Sequence, residues 1–237
     1  MSHAAAITSL PRRLVAELVG SALLAALVVG SGIAAQRLSP ADTGLQLLEN
    51  AIATALGLPV LILVFAPVSG AHFNPVVSLV DAASGRRTWR DAALYIPTQV
   101  AGCIGGAVLA NLMFAAPAVS ISGTDRLTSA HFLAEVVATG GLILVVFALG
   151  RTDRSQLTAA AVGAYIGAAY FFTSSASFAN PAITIGRIFS DTFAGIAPSS
   201  TPGFIAAQVI GAALGFLLVR WLFPVRGHAD VPQGSAR

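Results

Sequence analysis

The sequence predicts an all-α membrane protein: six transmembrane helices plus two re-entrant half-helices, arranged as inverted three-span repeats. Three observations carry this reading. The 237 residues are 56% hydrophobic and 10% charged, far below the roughly 25% charged residues of a soluble domain. Six stretches, near 14–36, 45–68, 92–116, 130–150, 157–178 and 203–223, have the length and apolarity of a span, which needs about 20 residues. Asn-Pro also occurs twice at what should be membrane depth, in SGAHFNPVVSL (69–79) and SFANPAITIGR (177–187).

The elements fall into two echoing halves. The first span opens LVAELVGSALL (14–24) and the fourth opens FLAEVVATGGL (132–142), each with an early carboxylate, Glu17 or Glu135. A cleaved leader is disfavoured at the first span, because its apolar run is longer than the roughly 7–15 residues of a leader core and Glu17 interrupts it. The third and sixth spans carry PTQVAGCIGGAVLA (97–110) and AAQVIGAALGFLL (206–218), each with a glutamine, Gln99 or Gln208, before a glycine-rich face. The order Glu, Asn-Pro, Gln is kept in both halves. Three spans per half is an odd number, so the second copy enters the membrane inverted, an arrangement that places a functional site near the midplane. Repeat one is expected over 14–116, a Ser/Gly/Pro-rich linker over 117–128 and repeat two over 129–223, a single domain between tails 1–13 and 224–237.

Asn-Pro is a helix-start signal. Proline disfavours helix in the residue before it and suits the first helical position, while asparagine is among the best N-caps. A helix over 74–83 or 180–189 rises only about 15 Å, half of a hydrocarbon layer about 30 Å thick. The small, polar stretches APVSGAHF and FTSSASFA precede the two asparagines. Non-helical backbone at that depth is tolerated only in contact with protein or with a watery cavity, so the pattern points to a pore.

Charge orients the chain and narrows its function. All 13 basic residues are Arg. Ten of them, including Arg12, Arg13, Arg86, Arg87, Arg90, Arg151 and Arg154, lie on the side of both termini, against Arg37, Arg126 and Arg187 on the other. The positive-inside rule then places both termini in the cytoplasm of a multi-pass protein of the cell's inner or plasma membrane. The same rule accounts for the net charge of +3 without nucleic acid as a partner. A single Cys103 and scattered His3, His72, His131 and His228 offer no metal or cofactor site. No nucleophile–base pair appears, so an enzyme is not expected.

With two Asn-Pro boxes, NPV and NPA, and the paired Glu and Gln positions, the chain resembles the aquaporin and aquaglyceroporin (major intrinsic protein) family over about 14–223. The resemblance implies a pore constriction at Asn74, Pro75, Val76, Asn180, Pro181 and Ala182, with the asparagine N–H groups facing the lumen. It implies that Glu17, Glu135, His72, Gln99 and Gln208 brace the loops, and that protomers assemble as a homotetramer in lipid. It also implies a selectivity filter, by spacing from each asparagine, at Thr54, Ala168, Ser177 and Ile183. Family members usually carry Arg where Ile183 stands. This filter is therefore expected to be wide and arginine-free, with Arg187, one turn beyond Ile183 by i, i+4 spacing, either a snorkelling residue of the mouth or a partial replacement for the missing charge. The implied function is a passive channel for water and small uncharged solutes such as glycerol-like polyols, urea or neutral metalloids, including arsenite and organoarsenicals. A secondary transporter, which also uses inverted repeats and broken helices, is the alternative.

Overall fold

A computed structural model describes residues 8–224; the expectations for residues 1–7 and 225–237 of the two tails lie outside them. Eight α-helices occur among the described residues: α1 (Leu10–Leu38), α2 (Thr43–Ser69), α3 (Pro75–Ala83), α4 (Trp89–Met113), α5 (Ser129–Arg151), α6 (Thr158–Phe172), α7 (Pro181–Gly186) and α8 (Thr201–Leu222). Five of them, α1, α2, α4, α5 and α8, are long and apolar enough to cross a membrane. Their outward faces carry exposed Leu56, Leu63, Leu133, Leu217 and Trp221. Apolar surface on this scale suits lipid and is foreign to a soluble monomer.

The fifth span departs from expectation. The apolar stretch 157–178 ends as a helix at Phe172, giving α6 only 15 residues, about 22 Å. Thr173 is already extended, and Ser175, Phe178 and Ala179 are drawn off by hydrogen bonds to Glu135. The last six residues of that stretch therefore belong to the loop before Asn180.

The two halves pack alike because the same glycines recur. On α4, a Cβ added to Gly102 or Gly106 would lie 2.5 Å from Leu18 O or 2.0 Å from Ala22 O of α1. On α8, Gly211 and Gly215 meet Val136 O and Gly140 O of α5 at 2.4 and 2.5 Å in the same test. Only glycine permits backbones this close, as is usual where small residues join membrane helices. Gly163 of α6 lies against Ala55 O of α2 in the same way, at 2.6 Å. The connection 114–128 runs beside the chain that follows α7: Ser122 N–H donates to Ile188 O at 2.8 Å and Ala197 N–H to Thr124 O at 2.7 Å.

Candidate functional site

Each half-helix starts at its asparagine. Asn74 and Asn180 are extended, and their Oδ1 atoms cap the helix ends, accepting from Val76 N–H at 3.1 Å and from Ala182 N–H at 2.9 Å. Proline at the next position supplies the fixed φ of a first helical turn. The loops leading in are distorted identically. Relative to each asparagine, the residues four, three and one before it have positive φ: Gly70, Ala71 and Phe73 in one loop, Ala176, Ser177 and Ala179 in the other. Non-glycine residues avoid that region, so the surroundings must hold them there.

The two glutamates do so. Glu17 Oε1 accepts from Ser69 Oγ at 2.6 Å and His72 N–H at 3.0 Å, and Oε2 from Phe73 N–H and Gln99 Nε2, both at 2.8 Å. Glu135 Oε1 accepts from Ser175 Oγ at 2.6 Å and Phe178 N–H at 2.8 Å, and Oε2 from Ala179 N–H at 2.9 Å and Gln208 Nε2 at 2.7 Å. Each glutamine reaches on to a half-helix hydroxyl, Gln99 to Ser78 Oγ and Gln208 to Thr184 Oγ1, both at 2.9 Å. Glu17, Glu135, Gln99 and Gln208 are all fully buried. A buried carboxylate needs partners, and loop N–H groups without a helical acceptor provide them.

The half-helices meet through a reciprocal pair of bonds. Asn74 Nδ2 donates to Ala179 O and Asn180 Nδ2 to Phe73 O, each at 2.8 Å. An amide nitrogen carries two hydrogens, so one N–H on each remains for the lumen. From this meeting point α3 leads away to Arg86 and Arg87, and α7 to Arg187.

One cavity of about 670 Å³ connects these ends. It is lined by Asp81, Arg86 and Arg87 at one extreme, by His72, Asn74 and Asn180 in the middle, and by Thr54, Tyr170, Ser177, Ile183 and Arg187 at the other. At the Arg86 end, Asp81 Oδ2 lies 3.3 Å from Arg87 Nε and 3.4 Å from His72 Nε2. Arg87 also donates to Tyr95 Oη at 2.9 Å and to Ser69 O at 2.7 Å. His72 Nδ1 lies 2.9 Å from Ser78 Oγ.

Several expectations need correcting. Of the six Asn-Pro box residues, only the asparagines line the cavity. Pro75, Val76, Pro181 and Ala182 are buried behind them, Val76 among Ile143, Phe147 and Ala212. Ala168 is exposed on α6 and does not line the cavity. Tyr170, two positions on and about 200° around the helix, lines the cavity instead, and its hydroxyl is 3.1 Å from Thr54 Oγ1. Arg187 is not a solvent-facing mouth residue. It is 3% exposed, donates from Nε to Ala194 O, and lies 3.4 Å from the Phe178 ring centroid. Tyr170 was within reach of the sequence, since Val162, Ile166 and Tyr170 recur at helical i, i+4, i+8 spacing and all three line the cavity. Nothing in the sequence marked Asp81 or Phe178.

Comparison with known proteins agrees with this geometry. Residues 4–179 match the family described as "Major intrinsic protein". The chain is 50% identical over 213 residues to the aquaglyceroporin AqpS of Rhizobium meliloti, covering 90% of this chain and 91% of that protein. It is 29% identical over 223 residues to aquaporin NIP1-1 of Zea mays, covering 90% of this chain and 76% of that one. The X-ray structure of the aquaglyceroporin from Plasmodium falciparum superposes with a TM-score of 0.69 at 21% identity, over 89% of this chain and 96% of that one. At that identity the likeness concerns the fold.

Proposed function

The chain belongs to the major intrinsic protein family, and we propose that its pore passes uncharged solutes larger than water as well as water itself. It is a membrane protein and a passive channel for water and small solutes, not an enzyme. The finer reading rests on one cavity that runs past Asn74 and Asn180 and continues to the end lined by Thr54, Tyr170, Ser177 and Ile183.

At the centre, the free N–H of each asparagine donates to a passing oxygen and so interrupts the donor–acceptor chain along which a proton would hop. Each half-helix start carries roughly half a positive charge. A cation about 4 Å away meets a barrier of roughly 2 kcal/mol from each at an effective dielectric near 20, and lost hydration adds to it. At the far end, Ile183 stands where a family filter usually has Arg, with the small side chains of Thr54 and Ser177 and the ring of Tyr170 lining the same end. Such an opening suits glycerol-like polyols, urea and neutral metalloid hydroxides such as arsenous or boric acid, and organoarsenicals. The name of the Rhizobium relative, an aquaglyceroporin, supports the polyol class.

A coupled transporter needs a carboxylate free to exchange protons or ions. Glu17 and Glu135 each already accept four hydrogen bonds from the loops and helices around them. With ten arginines against three, both termini face the cytoplasm of the cell membrane and the Arg187 end opens outward. Family resemblance supports a homotetramer with one pore per protomer.

Stopped-flow measurements on reconstituted vesicles test this reading with water, glycerol, urea and arsenite. Downhill flux with low activation energy and no ion dependence is expected. Flux equal to that of empty vesicles, or flux that follows a proton or sodium gradient, overturns it.

A further inference from the structure

Seven positions after each asparagine the repeat places a charged side chain in the cavity wall, Asp81 in the first half and Arg187 in the second. Their surroundings differ. Asp81 sits between His72 and Arg87 at 3.4 and 3.3 Å. Arg187 has no carboxylate at ion-pair distance among the described residues. What holds it is neutral: the carbonyl of Ala194 and the face of Phe178. Arg126 stacks on the same ring at 5.6 Å and is tied to Gly195 O and Phe193 O, adding a second cation and no counter-charge.

Burying a guanidinium without a partner ion is costly, and a structural role would be served as well by pairing it. Its Nε is occupied, which leaves the Nη donors to whatever the cavity contains. The Ser177 hydroxyl, on a residue 3% exposed, also lacks a partner and lines the same end. Ile183 and Phe178 provide apolar wall beside these donors.

We propose that Arg187, acting from one helical turn beyond position 183, is the specificity-determining residue of this end of the pore. The proposal rests on the channel reading above. A guanidinium is a rigid fork whose parallel N–H groups match two adjacent oxygens. A solute with hydroxyls on neighbouring carbons exchanges two waters for both prongs while its carbon skeleton slides along Phe178 and Ile183. A solute with separated hydroxyls engages one prong and crosses with a donor unanswered. The unpaired charge also repels cations at this point of the pore.

The isomers 1,2-propanediol and 1,3-propanediol have the same composition and differ in oxygen spacing. Wild-type vesicles are expected to admit the 1,2 isomer about fivefold faster, the equivalent of one additional ordinary hydrogen bond. Arg187→Met is expected to bring the ratio to about one and to raise sodium leak, and Phe178→Leu, which unseats the guanidinium, to lower the ratio partway. Should Arg187→Met fail to reach the membrane, Arg187→Lys decides: it keeps the charge but lacks the fork, so the isomer preference disappears while sodium stays excluded. Equal rates for the two isomers in the wild type, or an undiminished ratio in the arginine variants, overturn the proposal. Wild-type vesicles that pass neither water nor either diol would refute the channel reading instead.

Discussion

Asn74 and Asn180 are joined through each other's loops: the side-chain nitrogen of each donates to the carbonyl of the residue preceding the other, at 2.8 Å in both directions. The bonds fix the spacing of the two half-helix starts and aim the remaining N–H of each. Asn180→Asp keeps a good N-cap but removes the donor to Phe73 O and adds a negative charge to the lumen. Proton or sodium leak through reconstituted vesicles is expected to rise at least about tenfold, the effect of roughly 1.4 kcal/mol on a barrier. Electrical recording on planar bilayers checks this.

The glutamate braces set up a matched pair of experiments. In Glu135→Gln, one carboxylate oxygen becomes an NH₂ group facing the N–H donors of Phe178 or Ala179. Leaving one buried N–H unsatisfied costs about 1–3 kcal/mol. Because Glu17 makes the corresponding contacts, Glu17→Gln is expected to lower the midpoint of thermal unfolding in detergent by a similar amount. A drop in only one of the two variants contradicts the shared role.

Packing behind the first loop is tight. A Cβ on Gly20 would lie 2.0 Å from the ring of Phe73, which is 1% exposed and next to Asn74. Gly20→Ala is expected to destabilise the protein by about 1–3 kcal/mol and to reduce water flux, because the ring cannot move without shifting the loop. A Cβ on Gly105 meets nothing within 4 Å. Gly105→Ala is expected to be neutral or stabilising by up to about 1 kcal/mol. Thermal unfolding of the two variants side by side gives the comparison.

The filter assignment is tested on α6 and α7. Tyr170→Ala removes a cavity-lining side chain and is expected to speed glycerol relative to water by several fold, whereas Ala168→Phe, on the exposed face, leaves that ratio unchanged. Ile183→Arg narrows the cavity at the end that Tyr170 also lines and adds a cation one turn from Arg187. It is expected to cut the glycerol-to-water ratio about tenfold or more, roughly 1.4 kcal/mol in barrier difference. Stopped-flow light scattering reads all three.

The linker carries a pH dependence. Asp125 accepts from Ser200 Oγ, and that bond, with the nearby backbone N–H groups, holds its carboxyl below the ordinary value of 3.8. A lowered folded-state value means the contact is fully present above about pH 4 and is lost as pH falls through the depressed value. Ser200 Oγ also accepts from the N–H groups of Arg126 and Leu127 at 2.9 and 3.0 Å. Hydrogen exchange at those two amides is expected to accelerate on acidification beyond its intrinsic pH trend, and Asp125→Asn should abolish the difference.

The polar residues were legible because the background is apolar. Glu17, Glu135, Gln99, Gln208 and the two Asn-Pro pairs stand out in such a chain, and their repeated order gives the inverted topology. The exceptions share a cause. Where α6 ends depends on Glu135 competing for the N–H groups of Phe178 and Ala179, a contact more than forty residues away in sequence. Counting positions back from Asn180 ignores helix phase, and so picked Ala168 over Tyr170. The burial of Arg187 depends on Phe178 and Ala194, and no local pattern announces a cation stacked on a ring.

The bond between Asn74 and Ala179 spans 105 residues, which constrains biogenesis. The first re-entrant segment is synthesised well before its acceptor carbonyl, so until then the donor of Asn74 has no partner from the second half. Its own glutamate can shape it, but only arrival of the second half completes it. A chain ending after α4 lacks both the acceptor for Asn74 and the donor to Phe73 O, and separately expressed halves are expected to restore water flux only when both are present in the same bilayer.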